Sequence, residues 1–273
     1  MARQRAGLRF RICALALGLA CGMTWPAVAL AEPFQSWVAV VVAGDDKGSL
    51  GGPTKAFDNA RRDISRAIIG LGLDDSQVAQ FSVRPEGDRG QRPQKASARA
   101  IYQSLSTLAP AARGCLVYFT SHGDPRGVLV DDQILAPQIL GLMLDRSCGE
   151  KPTVVVISAC FSGVFVPALA KPNRMILTAA RPDRTSFGCG EADTYPYFDA
   201  CFLSAIDQVA DFIALSRAVG ACVAEREKTE GVSPPSEPQV WIGPQLRALL
   251  PLLTFAGARQ AETLRLGGPV AAP

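Results

Sequence analysis

The chain has 273 residues, 48% hydrophobic and 19% charged, with 28 basic against 25 acidic side chains. That near-balance, with no basic stripe interleaved with aromatics, gives no footing for nucleic-acid binding. A single histidine and eight cysteines without a CxxC pair exclude the usual zinc sites.

Residues 1–31 read as a signal peptide. Arg3, Arg5, Arg9 and Arg11 make a basic start, "ICALALGLACGM" is an apolar stretch short for a bilayer, and Ala29 and Ala31 have the small-residue spacing of a cleavage site. An uncleaved anchor is the alternative, and a lipid-modified Cys21 fits less well because Gly18 stands where such signals usually carry leucine. Removing four of the 28 basic residues leaves 24 against 25 acidic, a net charge of −1. No second long apolar run follows, so no stable membrane span is expected after signal removal. The expected location is the periplasm or the cell exterior. There, some of the six remaining cysteines should pair. Cys115 opens one strand and Cys148 lies just before the next, so a Cys115–Cys148 disulfide is expected if those strands are parallel neighbours.

Continuous apolar runs and helical periodicity then alternate along the chain. "WVAVVVAG" at 37–44 reads as a strand buried on both faces. "TKAFDNARRDISRAIIGLG" sets Phe57, Ala60, Ile64, Ala67 and Ile68 on one helical face and stops at glycine. "VAQFSV" is strand-like and "QKASARAIYQSLSTLA" helical. "CLVYFT" at 115–120 is a strand, "GVLVDDQIL" a short segment around a turn, and a helix follows near 136–145. "TVVVIS" at 153–158 and "RMILTAA" at 174–180 are further buried strands. Helices near 198–209 and 212–228 and the apolar "PQVWIG" complete the pattern, with one more helix from Leu246. Such alternation predicts βαβ units around a mostly parallel sheet.

Open α/β sheets bind ligands at the carboxyl ends of their strands. "CLVYFT" delivers Ser121-His122-Gly123 to that edge, and "TVVVIS" delivers Ala159-Cys160-Phe161-Ser162-Gly163. His122 and Cys160 each stand two residues past a strand end. On adjacent parallel strands the two would meet as an acid/base group and a nucleophile. Taken alone, a histidine after a strand reads as a turn residue and a cysteine as a small core side chain. Their joint placement carries the argument. Glycine after His122 lets backbone N–H groups approach a substrate carbonyl closely.

"YFTSHG", "VVVISACFSG" and "MILTAARPDRTSFGC" together resemble the legumain family of cysteine peptidases, in the caspase-like clan, and exported bacterial members most closely. The resemblance runs from about Trp37 to Phe198. It implies a caspase-like three-layer α/β sandwich with a mostly parallel central sheet, spanning residues 32–245, followed by a C-terminal tail at 246–273. It also implies a cysteine endopeptidase, or a transpeptidase, acting on peptide or protein substrates without a cofactor or metal. Cys160 would be the nucleophile, His122 the acid/base, and the N–H groups of Gly123 and Cys160 the oxyanion donors. Ser158 stands where such proteins carry a pocket acid, so asparaginyl specificity does not transfer. No residue among Lys47, Thr54 and Lys55 clearly matches the family's pocket arginine, and Asn59 falls within a predicted helix. Ser186 would line the substrate pocket, and Asp199 lies near the family's pocket aspartate.

Other readings stand beside this one. Cys189 is a second candidate nucleophile without a paired histidine motif, and an ordered loop at 181–199, pinned by Arg184 and a Cys189 disulfide, is the structural alternative. Asp124, Asp131 and Asp132 resemble paired carboxylates, but Asp131-Asp132 reads better as a tight turn. A serine hydrolase fits poorly without a G-x-S-x-G elbow. A caspase-like domain that binds a peptide or protein without cleaving it is the alternative function.

Overall fold

The computed structural model describes residues 33–85 and 93–255. The signal segment expected at 1–31 and the last 18 residues lie outside them. Continuous apolar runs become the central strands: β1 (Trp37–Ala43), β2 (Val78–Ser82), β4 (Gly114–Thr120), β8 (Thr153–Ser158) and β9 (Arg174–Thr178). Every residue of β1, β4, β8 and β9 is buried, as parallel strands covered on both faces should be. A two-residue β3 (Gln94–Lys95) and an antiparallel β10 (Gln239–Ile242) finish the edges. The order is β10-β9-β8-β4-β1-β2-β3, with all pairs but β10–β9 parallel. β4 and β8 therefore sit side by side in the middle. A small antiparallel sheet of β5 (Gly123–Asp124), β6 (Gly127–Val130) and β7 (Gln133–Leu135) follows β4.

Helices cover both faces, because side chains alternate along each strand. On one face Ala39, Val41, Leu116, Val154 and Leu177 pack with α1 (Ala56–Gly70), α5 (Tyr197–Ile206) and α6 (Phe212–Thr229). On the other, Val40, Val117, Phe119, Val155 and Ile157 pack with α2 (Ala98–Leu108), α3 (Pro137–Ser147) and α4 (Phe165–Leu169). The result is the expected three-layer α/β sandwich. The α1 stripe holds: Phe57, Ala60, Ile64 and Ile68 are buried. Ser97 caps α2 through Ala100 N–H, and Asp211 caps α6 through Ile213 and Ala214 N–H. After α7 (Pro244–Leu249), Leu246, Leu250 and Phe255 enter the core, where Phe255 meets Phe34 and Phe212 edge-on or tilted.

Two disulfides close the scaffold. The expected Cys115–Cys148 bridge joins the start of β4 to the C-cap of α3, and Cys201–Cys222 joins α5 to α6. Cys160 and Cys189 are free thiols, so the disulfide considered for Cys189 does not form. Asp131-Asp132 is the two-residue turn of the β6–β7 hairpin, with Asp131 at φ 59°. Among the described residues no helix is long and apolar enough to cross a membrane.

Candidate active site

The register of the two central strands decides where the histidine and cysteine motifs emerge. Thr120 pairs with Ser158 at the carboxyl ends of β4 and β8, and Ser121 N–H continues the ladder to Ser158 O at 3.0 Å. His122 and Cys160 thus leave the same edge, each two residues beyond one paired position. The segments then converge closely. A Cβ added at Gly123 would lie 2.4 Å from the Cys160 carbonyl oxygen and 3.1 Å from Ala159 Cβ. Only a residue without a side chain permits that approach.

The half-buried His122 is held from two sides. Its Nε2 lies 2.9 Å from the Lys47 carbonyl oxygen, and the Phe57 ring meets the imidazole edge-on with centroids 5.1 Å apart. A carbonyl can only accept, so Nε2 carries the hydrogen in this contact, which leaves Nδ1 outside it. The loop supplying Lys47 is tied down in turn. Glu191 accepts from Leu50 N–H at 3.0 Å and Gly52 N–H at 3.1 Å, Cys189 O accepts from Ser49 N–H, and Gly190 O accepts from Thr54 Oγ1. Its own backbone N–H first, then those of Leu50 and Gly52, hold the Glu191 carboxyl below its ordinary range.

Cys160 is partly exposed and faces the loop after β9. Ser186 N–H donates to its Sγ at 3.3 Å, and the Ser186 carbonyl and hydroxyl oxygens lie 3.5 and 3.6 Å away. Among the described residues no hydrogen bond joins Cys160 to His122; each is bonded to its own loop. Phe161 occupies the left-handed region at φ 57°, uncommon for a bulky residue, and its N–H donates to Arg184 O at 2.8 Å. The Cys160 N–H has no acceptor among the described residues. Leu129 N–H bonds to His122 O, making Gly123 and Val128 a non-hydrogen-bonded pair and leaving the Gly123 N–H outside that ladder.

Asp199 sits beneath these groups with no exposed surface. Its carboxylate accepts from Tyr118 Oη at 2.6 Å and Thr120 Oγ1 at 2.5 Å, and Ser158 adds a third hydroxyl. Burial pushes its pKa up to about 7 despite those bonds, and burial followed by the Asp199 charge pushes Tyr118 well above its ordinary value. Ser158 is itself buried. Cys189 is largely enclosed, and burial, then the charge of nearby Cys160, pushes its thiol up to about 11. A thiol held protonated at neutral pH is a poor nucleophile. Arg184 pairs with Asp183 at 2.8 Å, as the ordered-loop reading of 181–199 expected.

Sequence reasoning missed the Lys47 carbonyl, Phe57 as a wall for the imidazole, and Glu191 as the anchor of the 47–52 loop. Phe57 had a visible signal as the first apolar position of the α1 stripe. The Lys47 carbonyl is a main-chain atom, which carries no residue-type signature, and the Glu191 carboxylate binds main-chain N–H groups 139 and 141 residues away, a pairing the local sequence does not specify.

A sheet of this order with an imidazole and a free thiol at the carboxyl ends of its two central strands defines a caspase-type α/β scaffold. The crystal structure of caspase-1 from Spodoptera frugiperda superposes with a TM-score of 0.54 at 14% identity, covering 76% of this chain and 86% of that one. Residues 113–219, which hold both motifs, match the model of the Peptidase C13 family. Over that segment the chain is similar to the Peptidase C13 (legumain) family, and its fold is that of the caspases. Comparison with curated proteins finds no match.

Proposed function

We propose that this protein is an exported cysteine peptidase in which Cys160 is the nucleophile and His122 the general acid/base. The observation that carries the reading is the β4–β8 register, from which both side chains emerge at one sheet edge, with Gly123 packed on the Cys160 carbonyl. A substrate carbonyl entering between the two loops meets the Cys160 sulfur, whose anionic form accepts a charge-assisted bond from Ser186 N–H. Sulfur attacks the carbonyl carbon. The oxyanion that develops is received by the N–H groups of Gly123 and Cys160, donors commonly worth about 3 kcal/mol each. His122, fixed by Lys47 O through Nε2, takes and returns protons at Nδ1 and protonates the leaving amine. The thioester acyl-enzyme is then resolved by water in hydrolysis, or by an amine in transpeptidation. Export is supported by the two cystines, which persist in oxidising compartments.

The test is labelling with an acyloxymethyl-ketone probe together with cleavage profiling on a diverse peptide library. Labelling should map to Cys160, vanish in Cys160→Ala, and slow by about 100-fold or more in His122→Ala. A folded protein whose Cys160 stays inert while library peptides bind would refute the enzyme and establish a peptide-binding module. N-terminal sequencing of the secreted protein should begin at Glu32; a start at Met1 would overturn signal cleavage.

A further inference from the structure

Away from the sheet edge, α2 and α3 leave an apolar groove between them. Tyr102, Ile139, Leu142 and Met143 line a space of about 350 Å³, and Arg99 and Arg146 stand at its ends. Ile139 and Leu142, one helical turn apart, are 49% and 50% exposed, which a helix covered only by its own core would not require. Arg99 and Arg146 are exposed and pair with no acid among the described residues. Their separation follows from the packing. Both helices run back from the carboxyl edge of a parallel sheet, and Ser106 and Ser147 touch at 3.3 Å near their C-terminal ends. Arg99 lies in the first turn of α2 and Arg146 in the last turn of α3, so about seven residues of helical rise, roughly 10 Å, separate them.

We propose that this groove docks an extended acidic–apolar peptide segment, its apolar side chains on Leu142, Ile139 and Tyr102 and its two flanking carboxylates on Arg99 and Arg146. A chain rising about 3.3 Å per residue carries acids three to four positions apart over that span, within the reach of two arginine side chains. A single-headed amphiphile would engage one arginine and leave the other without a partner, so two opposed guanidinium groups favour the doubly acidic segment. The groove begins at the helix ends nearest the carboxyl edge of the sheet, and its lining shares no residue with the candidate active site. The proposal goes beyond the peptidase reading and needs no catalysis.

Fluorescence anisotropy on the Cys160→Ala protein tests it, with fluorescein-labelled Glu-Leu-Phe-Leu-Glu as the probe and Lys-Leu-Phe-Leu-Lys as the control. The acidic peptide should bind at least tenfold more tightly than the basic one, and Arg99→Glu with Arg146→Glu should reverse that preference. Leu142→Gln should weaken binding at least threefold. All three positions are exposed, and unchanged circular dichroism and thermal midpoint confirm folding. Equal binding of the two peptides, binding untouched by the arginine reversal, or tighter binding of dodecanoate than of the acidic peptide would each overturn the proposal.

Discussion

Asp199 makes the folded protein sensitive to pH in a direction opposite to that of a salt-bridged carboxylate. Its pKa is raised to about 7 by burial, whereas in the unfolded chain it returns to an ordinary value near 3.9. Between these values the folded protein holds a proton that the unfolded chain has released, so stability falls as pH rises through this window and levels off above it. Integrated over the whole window the effect is on the order of 4 kcal/mol, of which about 2 to 3 kcal/mol is lost between pH 5 and 7.5. Asp199→Asn removes the titration and keeps an amide that Tyr118, Thr120 and Ser158 can bond by rotating their hydroxyls. The assay is urea unfolding of both proteins at half-unit steps from pH 4.5 to 8. The difference curve should move toward the variant by 2 kcal/mol or more with rising pH, since every other carboxylate cancels in it. A flat difference, or one moving toward the parent protein, would refute the account of Asp199 as a buried acid that ionises only near neutrality.

Gly123→Ala brings a methyl group into the Cys160 carbonyl and should cut the probe-labelling rate of Cys160 at least tenfold while the far-ultraviolet spectrum stays native; parent-like labelling would show that the two motifs need not touch. Phe57→Leu should leave the fold intact and lower labelling severalfold, because the imidazole loses its aromatic wall; Phe57→Ala should in addition cost about 3 to 5 kcal/mol in urea. Glu191→Ala frees the 47–52 loop and should open it to limited proteolysis and slow labelling, which a change in hydrogen exchange confined to that loop would confirm. Replacing Cys115 and Cys148 with alanine removes a cross-link of sequence separation 33 and should cost about 4 kcal/mol; the Cys201–Cys222 pair, separated by 21, should cost about 3 kcal/mol. Non-reducing peptide mapping should recover both cystines and leave Cys160 and Cys189 alkylated.

Much of the scaffold was readable before any coordinates. Strands buried on both faces must be apolar throughout, so "WVAVVVA", "CLVYFT" and "TVVVIS" identify themselves, and their shared parallel arrangement brings His122 and Cys160 to one edge. The Asp131-Asp132 turn was equally plain, since two polar residues between apolar runs leave little else to form. What escaped has a common cause. β3 is two exposed residues defined only by main-chain pairing with β2, so "QK" read as the start of a helix whose cap is in fact Ser97. The polar "SG" after Cys160 hid a short helical turn leading into α4. The Cys201–Cys222 partnership depends on how α5 packs against α6, which periodicity on either helix alone does not specify. For Asp199, position along the chain suggested a substrate pocket; the three hydroxyls that enclose it come from β4 and β8, up to 81 residues away.

The two cystines also make ripening of the molecule depend on its surroundings. Small and medium domains generally hold only about 5 to 15 kcal/mol against unfolding, and the bridges together represent a sizeable share of that range. A newly made chain kept among cellular thiols would lack both clamps and sit nearer its melting limit, easy prey for housekeeping proteases. In an oxidising space the same chain would close both bridges and resist unfolding and proteolysis more strongly, so its durability would follow the redox state around it.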